Sequence, residues 1–424
     1  MTMAGRVSID ALDSNLSAWL AGDAAQLANP WPLFQALRAH SPVRELGPVV
    51  VLSGYSEVKT ALREVNRFSS RIFVGDRADA ALASMTQAQR ADHDAVAAYD
   101  AVGVNHTDDE QHVRLRRIFH RAFTPRRVAE MRQTVAAYTE RLFDQIAGAE
   151  VVDMRGLAYR LPLLIIGDLL GIPESDHDMI HAWSLKIGAS RGVVDPGVLR
   201  EARLAIEDFG AYVTERTAAV RLTGDGGTIV TALLDDREQE RLTNEELTAN
   251  FVLLLFAGHE TTTNLIASGL LALLEQEDQW HLLCADPAGM APKATEELLR
   301  YVSPVQLIQR VAREDVVLRG VAIPAGRHVI GLTGSANRDA TVFDQPDEVD
   351  LNRDNAGHLD FGYGPHFCIG AALARLEGQV VFSRMARSYP NMQLAVDPHH
   401  LRWGGNAMLR TLVELPVTLG PRCG

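Results

Sequence analysis

Apolar residues recur at helical spacing along most of the chain, in "QALRAHSPV", "HVRLRRIFHRAF", "RVAEMRQTVAAYTERLFDQIAG", "REARLAIEDFGAYVTERTAAV", "TEELLRYV" and "ALARLEGQVVFSRMA". A repeat of three to four residues predicts amphipathic helices. Strand-like runs are fewer: "PVVVLSG", "DVVLRGVAIPAGRHVI" and the tail "LRTLVELPVTL", each bounded by Gly or Pro. The pattern predicts a mainly α protein with a minor β component. One element stands out by length. From Thr243, "TNEELTANFVLLLFAGHETTTNLIASGLLALLEQ" opens with a capping box, Thr243 followed three residues later by Glu246, and keeps helical apolar spacing to about Gln276. About 33 residues at 1.5 Å each make a rod of roughly 50 Å. Such a helix must pass through the core.

Length alone would suggest several domains for 424 residues. No Pro/Ser/Gly tract or internal repeat separates autonomous halves, and the richest loop, "LTGDGGT" at Leu222 to Thr228, is short. A single domain over residues 1–424 is expected, with residues 1–29 as an N-terminal extension. The first residues lack the basic head and apolar run of a signal peptide. The apolar run "FVLLLFAG" reaches "HETTTN" well before the ~20 residues of a membrane span. A soluble, cytoplasmic, monomeric protein without membrane contact is expected. Cys284, Cys368 and Cys423 are odd in number and far apart, which suits a reducing compartment rather than a disulfide framework. A net charge of −13, from 54 acidic and 41 basic side chains, argues against a nucleic-acid partner.

The stretch "FGYGPHFCIGAALAR", Phe361 to Arg375, sets Cys368 behind Gly362, Gly364 and Pro365 and directly before a predicted helix. The helix N-terminus and free loop N–H groups are expected to lower the thiol pKa. Gly370, read as one position into the helix, removes a side chain where something flat could approach. A buried structural cysteine is the commoner fate of a free thiol, and on this residue alone the choice stays open. No cluster supplies three or four zinc ligands beside His366. "GYG" lacks the strand and the acidic residue that a dinucleotide site needs.

The long helix holds a polar interruption, Glu260-Thr261-Thr262-Thr263-Asn264, beside the small pair Ala257 and Gly258. Consecutive hydroxyl residues compete for backbone carbonyls and loosen a helix. A carboxyl and a hydroxyl there suit proton delivery to a small ligand; a solvated or capping patch is the alternative.

Together these stretches resemble the cytochrome P450 family, the haem-thiolate monooxygenases. The cysteine loop matches nearly position for position, "AGHETT" matches the oxygen-activating helix, and "EELLR" supplies Glu-x-x-Arg as Glu297 and Arg300, all in the family's order. The likeness runs from about Pro30 to Pro416, in the style of soluble bacterial members. It implies the cytochrome P450 fold, with haem b (iron protoporphyrin IX) between the long central helix and the cysteine loop. Cys368 is then the proximal iron ligand, whose thiolate favours O–O cleavage. Phe361 packs beside the sulfur, with Gly362 and Gly370 completing the loop. Glu260 and Thr261 match the acid and alcohol that deliver protons to dioxygen. Glu297 and Arg300 join a later arginine, here Arg353, in a structural network. His112, Arg116, Arg310 and His358 are the candidates for the haem propionates.

Seven arginines between Arg114 and Arg132 form a local exception to the acidic balance. In the family this helix lies on the cysteine side, where an acidic electron donor docks. The chain has no flavin or ferredoxin segment of its own, so a separate ferredoxin and ferredoxin reductase are expected. By analogy Leu253, Leu254, Ala257, Val305, Leu307, Ile308 and Met408 line an apolar pocket for a lipophilic small molecule, a polyketide, terpenoid, steroid or fatty-acid derivative to be hydroxylated or epoxidised. Ordinary core packing is the alternative for each. Where the family often has a proline pair before the His112 motif, this chain reads "NHTDDEQH", and Ser69 to Thr107 is long and Ala-rich. Both features alter the loop over the substrate. Rival readings are a haem-thiolate peroxygenase or isomerase, and a noncatalytic haem-binding sensor.

Overall fold

A computed structural model of the chain describes residues 9–72, 85–190, 195–223, 228–234, 241–354 and 357–423. Its axis is the helix Asn244–Leu274, 31 residues long, with Thr243 as N-cap and both halves of the capping box formed with Glu246. At 1.5 Å per residue it spans roughly 46 Å. The helix is unbroken through the polar segment. The hydroxyls are absorbed locally instead, Thr261 donating to the Ala257 carbonyl at 2.6 Å and Thr263 to that of His259 at 3.0 Å.

Helices Met154–Leu169, Pro196–Thr223, Pro287–Val302 and Ala371–Ser388 pack around this axis. Their apolar faces form one continuous core with Leu161, Ile165, Phe209, Leu270, Leu298 and Phe382. Gly269 marks one close approach: a Cβ there would stand 3.0 Å from the Phe382 ring and 3.2 Å from Leu298. The helix Met154–Leu169 has no amphipathic signature because both its flanks are buried, and Pro162 lies inside it. The Ser69 to Thr107 stretch, read as a loop, contains the helix Gln87–Ala101, opened by a capping box on Thr86; residues 73–84 of that stretch lie outside the described residues.

A five-stranded sheet runs in the spatial order Val43–Leu46, Val49–Leu52, His328–Gly331, Ile308–Ala312, Phe68–Ser69. Its pairings are antiparallel except for that between Val49–Leu52 and His328–Gly331. Side chains from the described stretch 10–29 pack on this layer. Leu12, Leu16, Trp19 and Leu27 are buried with Phe34, Val51 and Ile330. Among the described residues no helix is long and apolar enough to cross a membrane.

A buried ionic network locks the segment that leads into the cysteine loop. Arg300 and Glu297 have fully buried side chains and meet through two hydrogen bonds of 2.7 and 2.8 Å. Arg300 also donates to the carbonyls of Asn337, Pro346 and Glu348 at 2.8 to 3.0 Å. Arg353 reaches Glu297 at 3.2 Å and caps the carbonyls of Asp344, Gln345 and Glu348. Removing one partner of such a network leaves a buried charge unpaired. Arg300→Met should therefore lower the free energy of unfolding by roughly 3–5 kcal/mol. Arg126→Ala, which breaks an exposed pair with Glu130, should change it by less than about 1 kcal/mol. Urea denaturation of the two variants checks this; equal, small effects would deny the network its role.

Candidate active site

The cysteine loop is a tight reversal. Gly362 and Gly364 take φ of +72° and +78°, a region open to glycine. A side chain on Gly364 would also press to 3.2 Å from the backbone of Leu62 and Arg63. The Cys368 N–H donates to the Phe361 carbonyl at 2.8 Å, closing the loop. Helix Ala371–Ser388 starts one residue later than expected, with Gly370 as its N-cap. A Cβ on Gly370 would meet only the Cys368 sulfur, at 4.0 Å, so the side facing the thiol is otherwise open. Cys368 keeps accessible surface, although its sulfur lies deep among the surrounding protein atoms.

The expected low thiol pKa is not found. Burial pushes the Cys368 thiol up to about 11, against the opposing pull of the Gly370 N–H and of Arg116 and Arg375. Loss of solvation outweighs the short helix terminus and two cations. Phe361 is buried beneath the Arg375 guanidinium, 4.5 Å from its ring centre.

His112 stacks on His366 with ring centres 3.8 Å apart. His366 Nε2 is 3.0 Å from Ser70 Oγ and 3.8 Å from Asp108. Burial draws the Asp108 carboxyl upward, but hydrogen bonds from His366, Ser69 and Ser70 outweigh it and hold the group well below the usual range. Arg310 feels the Asp108 charge, and burial brings its pKa down to about 10. Its Nη1 donates to the Gln309 carbonyl at 2.8 Å, while its buried Nε has no partner among the described residues. Arg116, one turn beyond His112, interacts electrostatically with Cys368 and is desolvated. The structure thus brings His112, Arg116, Arg310 and Cys368 into one region and adds His366, Ser70 and Asp108, which sequence reasoning missed. The spacing His366-x-Cys368 could have pointed to His366. His358 and His112 both have protein partners: His358 Nε2 donates to Glu296 at 3.1 Å and its Nδ1 accepts from the Asp360 N–H at 3.3 Å, while the His112 ring nitrogens lie 3.0 Å from the Val104 carbonyl and 3.2 Å from that of Pro365.

On the central helix, Ala257 is exposed and Leu253, Leu254 and Thr261 are partly so, although Leu255, His259 and Glu260 beside them are buried. Residues 253, 257 and 261 share one helical face. That face stays accessible at these positions, whereas 255, 259 and 260 are packed. The lining expected from the sequence is only partly found there. Leu307 is buried in the N-terminal cluster with Trp19 and Leu332, and Met408 packs against that cluster; Ile308 packs on the sheet core with Val58 and Val329. Val305 is partly exposed. Burial raises the Glu260 pKa, against the charge of Arg155.

An accessible thiol in a fixed loop, a buried guanidinium whose Nε has no partner among the described residues, and an accessible strip of the central helix are compatible with a flat metal complex carrying carboxylates at its edge. A thiol and cations so arranged would suit a haem-thiolate site. The cytochrome P450 family model matches residues 200–279 and 290–395. Vitamin D(3) 25-hydroxylase from Pseudonocardia autotrophica is 38% identical over 402 residues, covering 93% of this chain and 94% of that protein. The polyketide biosynthesis cytochrome P450 PksS of Bacillus subtilis is 36% identical, over 74% of this chain and 76% of its own. The structure of CYP109E1 from Bacillus megaterium in complex with testosterone superposes with a TM-score of 0.81 at 29% identity, covering 93% of this chain and 99% of that one. The chain belongs to the cytochrome P450 family. It is a haem-thiolate monooxygenase that takes electrons from redox partners.

The unpartnered Arg310 N–H gives a direct check on the carboxylate end of the site. A charged hydrogen bond contributes about 1.5–3 kcal/mol, so Arg310→Met should lose haem to apomyoglobin roughly tenfold to a hundredfold faster. An unchanged transfer rate would remove Arg310 from the propionate set.

Proposed function

We propose that the chain holds haem b between the central helix and the Cys368 loop and hydroxylates or epoxidises a lipophilic small molecule of polyketide or steroid type. Its electrons would come from a ferredoxin and ferredoxin reductase, in the cytoplasm, with the enzyme as a monomer. The accessible strip of Leu253, Leu254, Ala257 and Thr261, apolar but for one hydroxyl, carries the substrate class. The names of the relatives above, for vitamin D(3) and polyketide chemistry, support it.

When bound, the haem supplies the activation of dioxygen and the transfer of one oxygen atom. Cys368 provides the sulfur ligand, giving up its proton to do so. Phe361, Gly362 and Gly370 keep the approach to that sulfur shaped and flat. His112, Arg116, Arg310, His358 and His366 would hold the carboxylate edge, with Glu296 competing for His358 and the Val104 and Pro365 carbonyls for His112. Glu260 stores a proton in buried surroundings that favour its neutral form. Thr261 donates to the Ala257 carbonyl and so keeps its oxygen lone pairs open to accept a proton on the accessible face. A peroxide-driven or isomerising enzyme has no need of that pair, which disfavours both rivals.

Thr261→Ala should go on consuming reductant while product per reductant falls roughly tenfold or more, with peroxide making up the difference. Unchanged coupling would sink the proton role. Cys368→Ser should lose the strongly red-shifted Soret band of the reduced, carbon monoxide-treated protein; a retained thiolate-type band would remove Cys368 as the ligand.

A further inference from the structure

The packed side of the central helix carries a second group of chemistry-bearing side chains. His259 is 2% exposed and Glu260 9%. The His259 Nε2 lies 2.9 Å from the Tyr159 carbonyl, so the ring proton sits on that nitrogen and Nδ1 keeps its lone pair. This lone pair faces Glu260 Oε1 at 3.6 Å, beyond hydrogen-bond reach. An acceptor nitrogen and a carboxylate oxygen therefore confront each other in the interior. His181, on the helix His177–Ala189, closes the third side. Its ring centre is 5.1 Å from that of His259, and one ligand atom from each of the three residues lies within 4.8 Å of the others.

Two ligand atoms held by one zinc ion at about 2.0–2.1 Å, at a tetrahedral angle, stand roughly 3.4 Å apart. The His259–Glu260 separation is already close to that value, and side-chain rotation closes the wider contacts. Two imidazoles and a carboxylate are a donor set zinc accepts, with a fourth position left for water. The Tyr159 carbonyl supplies the outer hydrogen bond that fixes a ligating ring. Of the charges nearby, Arg155, over the Tyr159 ring at 5.1 Å, opposes a cation, and Asp178 beside His181 favours one. His181 is only half-buried, which gives the ion an entry side.

We propose that His181, His259 and Glu260 form a zinc-binding site whose occupation withdraws Glu260 from proton supply and inhibits the monooxygenase. The inhibitory half rests on the reading of Glu260 as the proton store. The test uses the haem-loaded full chain without a metal-binding tag. Competition with a chromophoric zinc chelator should show about one equivalent taken up, with affinity falling at least roughly a hundredfold in His181→Ala, the upper end seen for outer-shell changes. X-ray absorption at the zinc edge should show two imidazoles and oxygen. No uptake, equal uptake by the variant, or sulfur in the zinc shell overturns the site and leaves the role of Glu260 untouched. With zinc bound, product per reductant should fall roughly tenfold or more. Unchanged yield with zinc in place overturns the inhibition and, with it, the proton role of Glu260.

Discussion

The placement of the reactive sulfur depends on a guanidinium group that never touches it. Between Ala336 and Ala371 the described chain has no α-helix or ladder strand, only turns and the short 3-10 turn Gly364–His366. Long irregular segments inside a compact domain leave backbone carbonyls that need donors. Arg300 and Arg353 supply those donors to five of them, at Asn337, Asp344, Gln345, Pro346 and Glu348. A guanidinium can sit so deep only beside a carboxylate, and Glu297 is that carboxylate, also accepting from the Asp350 N–H at 2.9 Å. The ion pair thus contributes less as an attraction between two charges than as the means of burying a five-donor fork. The cysteine loop begins where this held segment ends.

Much of this was legible because the strongest signals are local. The capping box at Thr243 and Glu246 and the run to Leu274 needed only caps and spacing to be read, and Gly-Pro punctuation marked the cysteine loop. The losses have physical causes. Helix Met154–Leu169 hides from periodicity because both flanks are buried, and Pro162 argues against a helix there. Leu307 looked like a pocket residue by position in a motif, yet packing against the first helices decides where it lies. His358 carries the right chemistry for an anion, and its link through Glu296 to Arg375 joins distant segments that no motif connects. The thiol pKa went the opposite way for a similar reason: the helix terminus can be read locally, whereas desolvation comes from the whole fold. His366, Asp108 and Ser70 meet only through tertiary contact.

The central helix separates two kinds of chemistry by geometry alone. Successive residues of an α-helix point about 100° apart, so Glu260 and Thr261 cannot share a face. Thr261 shares the accessible strip with Leu253 and Ala257, while Glu260 turns toward His259 and His181 in the packed interior. The division keeps a carboxyl, raised in pKa by burial, away from the apolar strip and leaves only a hydroxyl exposed to it. A lipophilic molecule can then lie along the strip without desolvating a charge. The acid and the alcohol are neighbours in sequence but belong to different environments.

Electrostatics ties these parts into one site. Arg310 is a desolvated cation whose Nε lacks an acceptor, and Cys368 is a thiol that burial disposes to keep its proton. Each is unfavourable taken singly. A flat group with carboxylates at its edge and a metal cation at its centre would suit both, since carboxylates could accept from the guanidinium and a metal could replace the thiol proton. Since only the folded chain presents the two together, the free energy of binding that group adds to the stability of the fold. The ionic network around Arg300 holds the segment that leads into the loop, so loosening it would also weaken the hold on a group bound at Cys368, although the two share no side chain.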